Sequence, residues 1–364
     1  MKKRTVLFFL KTNVHDHWEF QLKLEELKRL AVAMEYEIVE KIVQQRMKMR
    51  SPYLIGQGKV DELTELVETY DIDTIIFYNI LTSKQNYNLT TILSSKRPCN
   101  VMDRYDLILE IFEQQSSDII SKLQIELAQM LKNFPKYKIQ AHKKYKTEHA
   151  QFRSSGEFAY HSKVRAHDKQ VAKIRAELEE LKERKLEQIA KRKRGEFPFK
   201  TICISGYYNA GKTTLFNKLT GAERPVSDRP FTTLSSKYQH LKERQTKIIL
   251  IDTIGFVYDI DPTLIKSFEL QILDMKNAEN ILYLIGLDDE IDVIRTKFLY
   301  GLDLLQDIGV DSSKIIVVFN KTDLISKQKM EDLLKTLEDS IKEFPHIFIS
   351  AKSSENMKGL ISLF

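Results

Sequence analysis

The chain has little cysteine and no long apolar run. Its 364 residues hold two cysteines, Cys99 and Cys203, far apart, with no C-x-x-C spacing and no histidine at metal-ligand intervals. That excludes a disulfide scaffold and points to a reducing compartment. No window approaches the ~20 apolar residues of a membrane span, so no stable membrane insertion is expected and a soluble, cytoplasmic protein is. The opening MKKRTVLFFL looks like a signal peptide, but its apolar run stops after Leu10 and no small-residue cleavage site follows. It reads as a first strand. Twelve glycines and eight prolines exclude a collagen-like chain, and 42% hydrophobic content excludes disorder. At ~150 residues per domain, two or three domains are expected.

An excess of one sign of charge is also missing at first sight. Lys and Arg number 57 against 51 Asp and Glu, a net +6. Split by region, residues 1–131 carry 17 basic and 19 acidic side chains, 132–200 carry 20 and 9, and 201–364 carry 20 and 23. Nearly all the basicity therefore lies in the middle fifth of the chain.

What is present begins with alternation. TVLFFL (5–10), a helix-like Glu19 to Met34, EIVEKIV (37–43), KVDELTELVETY (59–70) and DTIIFYNI (73–80) predict a small parallel α/β sheet. Two helical tracts follow, Arg104 to about Leu131 with Pro135 just beyond its end, and about Ser162 to Arg194. They are expected to pair as an antiparallel hairpin with core-forming apolar stripes. The ~30 residues between them are basic and aromatic without regular period, the composition of a loop that meets RNA: Lys and Arg neutralise phosphates, and Tyr and Phe stack on unpaired bases. A solvated helix end is the plainer reading of the same charges. After KRKRG (191–195) and Pro198 a second α/β alternation starts, so the boundary is placed near 195–199. Two domains are expected, residues 1–195 and 196–364, the first divided into an α/β region (1–103) and a basic helical hairpin (104–195).

The chemistry enters after the strand TICIS (201–205). Gly206-Tyr207-Tyr208-Asn209-Ala210-Gly211-Lys212-Thr213 is G-x-x-x-x-G-K-T in a strand–loop–helix setting. Such a loop turns backbone N–H groups toward phosphates at a helix N-terminus. Lys212 adds charge for the outer phosphates and Thr213 offers a hydroxyl to Mg²⁺. Asp252-Thr253-Ile254-Gly255 follows the strand 248–251; its Asp can hold Mg²⁺ through water and the Gly255 amide can touch the last phosphate. Asn320-Lys321-Thr322-Asp323 follows the strand 315–319, and its terminal carboxylate can accept two N–H bonds from guanine, which adenine cannot offer. Ser350-Ala351-Lys352 follows a fifth strand, with a backbone amide for the guanine O6. All end strands where open α/β sheets bind ligands. The nucleotide is expected to be GTP.

Between the first two motifs lies Arg229-Pro230-Phe231-Thr232-Thr233-Leu234, followed by Ser235. A switch loop needs one threonine there to complete the Mg²⁺ shell, and spacing leaves Thr232 and Thr233 both open. After Gly255 stands Phe256, which cannot orient water as a glutamine can, so intrinsic hydrolysis is expected to be slow. Asn209 is a candidate for holding K⁺ near the phosphates.

These residues resemble the HflX GTPases. The likeness lies in GYYNAGKTTLFNKLTG, FTTL against F-A-T-L, DTIGF against DTVGF, NKTD and SAK. It extends to SPYLIGQGKVDEL (51–63), VMDRYDLILEIFEQQSS and KLQIELAQM (122–130), and covers the chain except residues 132–170. The resemblance places the switch threonine at Thr233, with Lys212, Thr233 and Gly255 as the catalytic set and Thr213 and Thr233 as metal ligands. It implies an N-terminal α/β domain with a long helical hairpin, a P-loop GTPase domain, Mg²⁺-dependent GTP hydrolysis and a partner in the large ribosomal subunit and its rRNA, which bacterial members use to separate or rescue stalled ribosomes. Two departures stand out. The family's glycine-rich hairpin loop is here RSSGEFAYHSKVRAHD, with Gly156 alone, and the last helix, after Lys352, is expected to be short.

Three functions follow: a monomeric GTP-hydrolysing switch on the large ribosomal subunit, a GTP-dependent module for a membrane surface or protein partner, and an RNA-remodelling ATPase in the N-terminal domain. The only local support for the last is Gly56-Gln57-Gly58-Lys59, better read as a turn capping the helix that follows.

Overall fold

A computed structural model describes residues 2–12, 17–46, 52–148, 155–196, 199–223, 237–242, 247–253 and 255–364. The chain packs as two units, Met1–Gln114 with Lys122–Glu179, and Gln115–Ser121 with Glu180–Phe364.

The first unit runs β1 (Arg4–Lys11), α1 (His17–Ala33), β2 (Glu37–Gln45), α2 (Gln57–Thr69), β3 (Thr74–Phe77), α3 (Ser83–Leu93), β4 (Asn100–Asp103) and α4 (Arg104–Gln115). Its four-stranded sheet has the order β2-β1-β3-β4 and is parallel throughout, as the alternation predicts. β1 is buried along nearly its whole length because helices cover both faces, which explains the unbroken run TVLFFL. Phe8, Phe77, Val60 and Leu63 lie in one core. Gly56 caps α2, which starts two residues before the expected Lys59. Two elements escaped the periodicity. α3 starts at a capping box, with Gln85 N donating to Thr82 Oγ1 at 3.3 Å and Thr82 N to Gln85 Oε1 at 2.9 Å. β4 carries only two apolar residues, Val101 and Met102, too few for a run.

The tract expected as one helix from Arg104 to Leu131 is two. After α4, Asp118 Oδ1 accepts from Ser121 N (2.9 Å) and starts α5 (Ile119–Glu148). α5 also overruns its expected end, with Pro135 in its interior, and α6 (Ser155–Lys193) starts before Ser162. Most of the expected loop is therefore helix, and residues 149–154 lie outside the described residues. The period misled because contact with the partner helix here is polar and aromatic. His167 stacks on Phe134 (3.4 Å between centroids), Gln170 Nε2 donates to Glu126 Oε1 (2.6 Å), and the Lys163 ammonium lies 5.6 Å from the Tyr137 ring centre. These pairings run in opposite senses, the antiparallel hairpin expected.

The second unit continues with β5 (Lys200–Gly206), α7 (Lys212–Thr220), β6 (Lys237–His240), β7 (Ile248–Asp252), α8 (Pro262–Lys266), α9 (Glu269–Asn277), β8 (Asn280–Gly286), α10 (Ile291–Asp307), β9 (Ile315–Asn320), α11 (Lys327–Ile341), β10 (His346–Ile349) and the short α12 (Met357–Ile361). The sheet order is β10-β9-β8-β5-β7-β6, with only the edge strand β6 antiparallel. Cys203 on the central β5 and Cys99 in the first unit are free thiols, both buried.

Packing divides the chain inside α6, between Glu179 and Glu180. The cause is α9. Lys185 Nζ donates to Leu270 O and Asp274 Oδ2 (both 2.6 Å), Lys182 pairs with Glu269 (2.9 Å) and Lys193 Nζ reaches Asn277 Oδ1 (2.9 Å). The first turn of α5 joins the same helix, Gln271 Nε2 donating to Ser121 Oγ at 3.2 Å.

Candidate functional site

The site is assembled where β5, β7, β9 and β10 end. β5 leads into Gly206, whose φ of 134° only glycine adopts readily, and a Cβ there would stand 2.2 Å from Leu284 O. The loop after it is tied to the segment following Gly255: Phe256 N donates to Gly206 O (2.9 Å) and Tyr208 N to Phe256 O (3.0 Å). Asn209 (φ 58°) and Gly211 (φ 92°) turn the chain by left-handed steps into α7. The second glycine is again obligatory, since a Cβ would meet Asn320 Nδ2 at 2.2 Å.

Lys212 opens α7 and folds back over this loop, its Nζ donating to Tyr207 O at 2.7 Å. The side chain is buried, and burial, partly offset by Asp252, pulls its pKa down to about 8. A buried ammonium beside the amides of a helix N-terminus is built for an anion. Gly255 keeps the approach open: a Cβ there would lie 2.8 Å from Lys212 Nζ. Thr213 is buried in the first turn of α7, and Asp252 is fully buried at the end of β7. Thr253 turns inward, its hydroxyl donating to Ile204 O (2.8 Å). Hydroxyl and carboxylate oxygens are the donor set that Mg²⁺ takes.

A second cluster lies at β9 and β10. Asn320 donates through Nδ2 to Ala210 O (2.8 Å) and accepts at Oδ1 from Ala351 N (2.9 Å), so one buried amide ties the phosphate loop to the last motif. Asp323 Oδ1 accepts from Ser350 Oγ (2.6 Å), and Ser353 N donates to that hydroxyl in turn (3.1 Å). Lys321 (φ 74°) pairs with Asp288 at 2.7 Å, and Thr322 Oγ1 donates to Glu355 Oε2 at 2.7 Å. Lys352 is exposed beside Ser350 and Ala351.

The structure thus brings together Gly206 to Thr213, Asp252, Thr253, Gly255, Asn320 to Asp323 and Ser350 to Lys352. Phe231, Thr232, Thr233, Leu234, Ser235 and Ile254 lie outside the described residues. Phe256 is buried, its ring edge-on to Tyr207 at 6.2 Å between centroids. Sequence reasoning missed Asp288 and Glu355, which brace the guanine motif from positions that no spacing rule marks.

A phosphate loop at the head of β5 and a base-reading pair of loops at β9 and β10 define a P-loop GTPase. Residues 201–321 match the family model described as 50S ribosome-binding GTPase, and residues 21–113 match GTP-binding GTPase N-terminal. GTPase HflX of Methanocaldococcus jannaschii is 34% identical over 92% of this chain and 80% of its own length; that of Thermofilum pendens is 34% identical over 87% and 73%. The chain belongs to the HflX family of GTPases and hydrolyses GTP. The crystal structure of the SsGBP and GDP complex is 25% identical, with TM-score 0.54 over 100% of this chain and 97% of that one. A GTP-binding protein from Sulfolobus solfataricus in complex with GDP shares the fold at 24% identity and TM-score 0.50, over 100% and 97%.

Proposed function

We propose that the protein is a monomeric cytoplasmic switch that binds the large ribosomal subunit in its GTP form and leaves on hydrolysis. The observation that carries the switch is the buried Lys212, held against Tyr207 O beneath Gly255: a γ-phosphate recruits both groups at once and orders the segment after Asp252. In this reading the amides of residues 207–213 and the Lys212 ammonium cradle the phosphates. Asp323 accepts from the guanine ring and exocyclic nitrogens, and the Ala351 amide meets O6. Thr213 and Thr233 would hold Mg²⁺, with Asp252 behind them through water; the ion supplies charge compensation for the phosphates. Thr233, with Phe231, Thr232, Leu234 and Ser235 beside it in sequence, would serve as the switch that senses the last phosphate. Asn209 is exposed and left-handed within the phosphate loop, and in this reading it holds K⁺ near the phosphates.

Two observations support the ribosomal partner. The matched model of the GTPase region is described as 50S ribosome-binding. The 20 basic against 9 acidic side chains of residues 132–200 fall mostly on the hairpin, where they suit rRNA phosphates. Among the described residues no helix is long and apolar enough to cross a membrane. Co-sedimentation with purified large subunits tests the reading: pelleting is expected with a non-hydrolysable GTP analogue and to drop with GDP. Identical pelleting with analogue, GDP or no nucleotide would remove the switch. For K⁺, faster turnover in KCl than in NaCl is expected, and equal rates would end that assignment.

A further inference from the structure

A second concave site lies in the GTPase unit, away from the nucleotide loops. A cavity of about 810 Å³ opens between the segment Asp259–Lys276 and α10. Its walls are apolar, with Ile260, Ile265 and Ile272 on one side and Leu304 and Ile308 on the other. Its rim is acidic. Asp303 and Asp307 stand exposed on α10, and neither makes an ion pair among the described residues. Across from them is Glu269, paired with Lys182, while Lys276 adds one positive charge on the α9 side.

The spacing on α10 is informative. Asp303 and Asp307 are one helical turn apart, as are Leu304 and Ile308 beside them, so a carboxylate row and an apolar row run in parallel with steps of ~6 Å. A helix laid along the groove repeats its side chains at that step, matching apolar anchors to the floor and Lys or Arg to the rim.

The groove is also wired to the nucleotide loops. One wall begins four residues after Gly255, and Ile260 N donates to Tyr300 Oη on α10 at 2.8 Å, fixing the width at that end. The Tyr300 ring packs on Tyr258 (4.9 Å) and on Tyr207 of the phosphate loop (6.5 Å). These contacts give a shift at Gly255 a path to the groove's mouth.

We propose that this groove is a docking site for a basic amphipathic helix of a partner protein, and that its affinity depends on the bound nucleotide. The probe is a fluorescein-labelled leucine–lysine peptide of about four helical turns with one apolar face, against a scrambled peptide of equal composition, titrated into the full chain by anisotropy. The expected result is preference for the amphipathic peptide and a loss of about tenfold or more in D303K/D307K. The charge-matched variant E338K/D339K, at exposed positions of α11, should keep its affinity. Basal GTP hydrolysis should be unchanged in both. A difference of about fivefold or more is expected between GDP and a GTP analogue. Equal binding of the scrambled peptide, or equal loss in the two variants, would overturn the site; equal affinity in both nucleotide states would overturn its coupling.

Discussion

At Gly255 the Lys212 ammonium lies 2.8 Å and the Tyr208 backbone nitrogen 3.3 Å from where a Cβ would stand. Adding a methyl group pushes that ammonium off Tyr207 O and crowds the path of the last phosphate. Gly255→Ala is expected to lower GTP turnover by about 10²-fold, the scale on which a lost transition-state donor acts, while leaving the fold intact. Single-turnover hydrolysis with equilibrium binding separates this from a binding defect, and unchanged turnover would refute it. Lys212, Gly206 and Gly211 were legible in the sequence because each answers a backbone or charge requirement that no other residue type meets. Asp288 and Glu355 were not: a carboxylate bracing another loop looks like any surface carboxylate until the fold sets it opposite its partner.

Among the elements, α5 departs most from local propensity. Pro135 lies inside it and removes one backbone donor, a cost of about 3 kcal/mol in a helix interior. What offsets this is the packing of the neighbouring turn, Phe134 on His167 and Lys138 over Phe134 at 4.4 Å. Pro135→Ala is therefore expected to stabilise the hairpin, raising the protein's free energy of unfolding by about 1–3 kcal/mol in urea titration; a loss of stability would show that the proline fits a bend that alanine cannot keep. The same element shows why the hairpin was only partly legible. Its pairing follows from the amphipathic stripes nearer the base, but towards the tip the contacts are aromatic and polar, which leaves no apolar period to read. In the sheets, by contrast, fully buried strands announce themselves as unbroken apolar runs, and β4 was missed because only Val101 and Met102 of its four residues are apolar.

For the whole molecule the relevant quantity is where its charge lies. A net +6 spread evenly would bind polyanions weakly, whereas 20 basic side chains against 9 in residues 132–200 make a local electrostatic footprint. If six or more phosphates are neutralised there, raising salt from about 50 to 200 mM should weaken binding to large-subunit rRNA by about 10³-fold. A flat salt response in filter binding would rule out the hairpin as an RNA contact. That concentration of charge could be counted directly from the residues, but not that most of it is carried on helices rather than on a loop.

Asn320 carries one more consequence. Its single amide group holds Ala210 O with one end and Ala351 N with the other. A nucleotide that touches both loops therefore meets one pre-assembled body, not two independent contacts. Free energies measured for base and for phosphate recognition should then fail to add. Damage to the Ser350–Lys352 loop will weaken inorganic-phosphate mimics as well as guanine, and discrimination against other purines will decline together with affinity for the triphosphate.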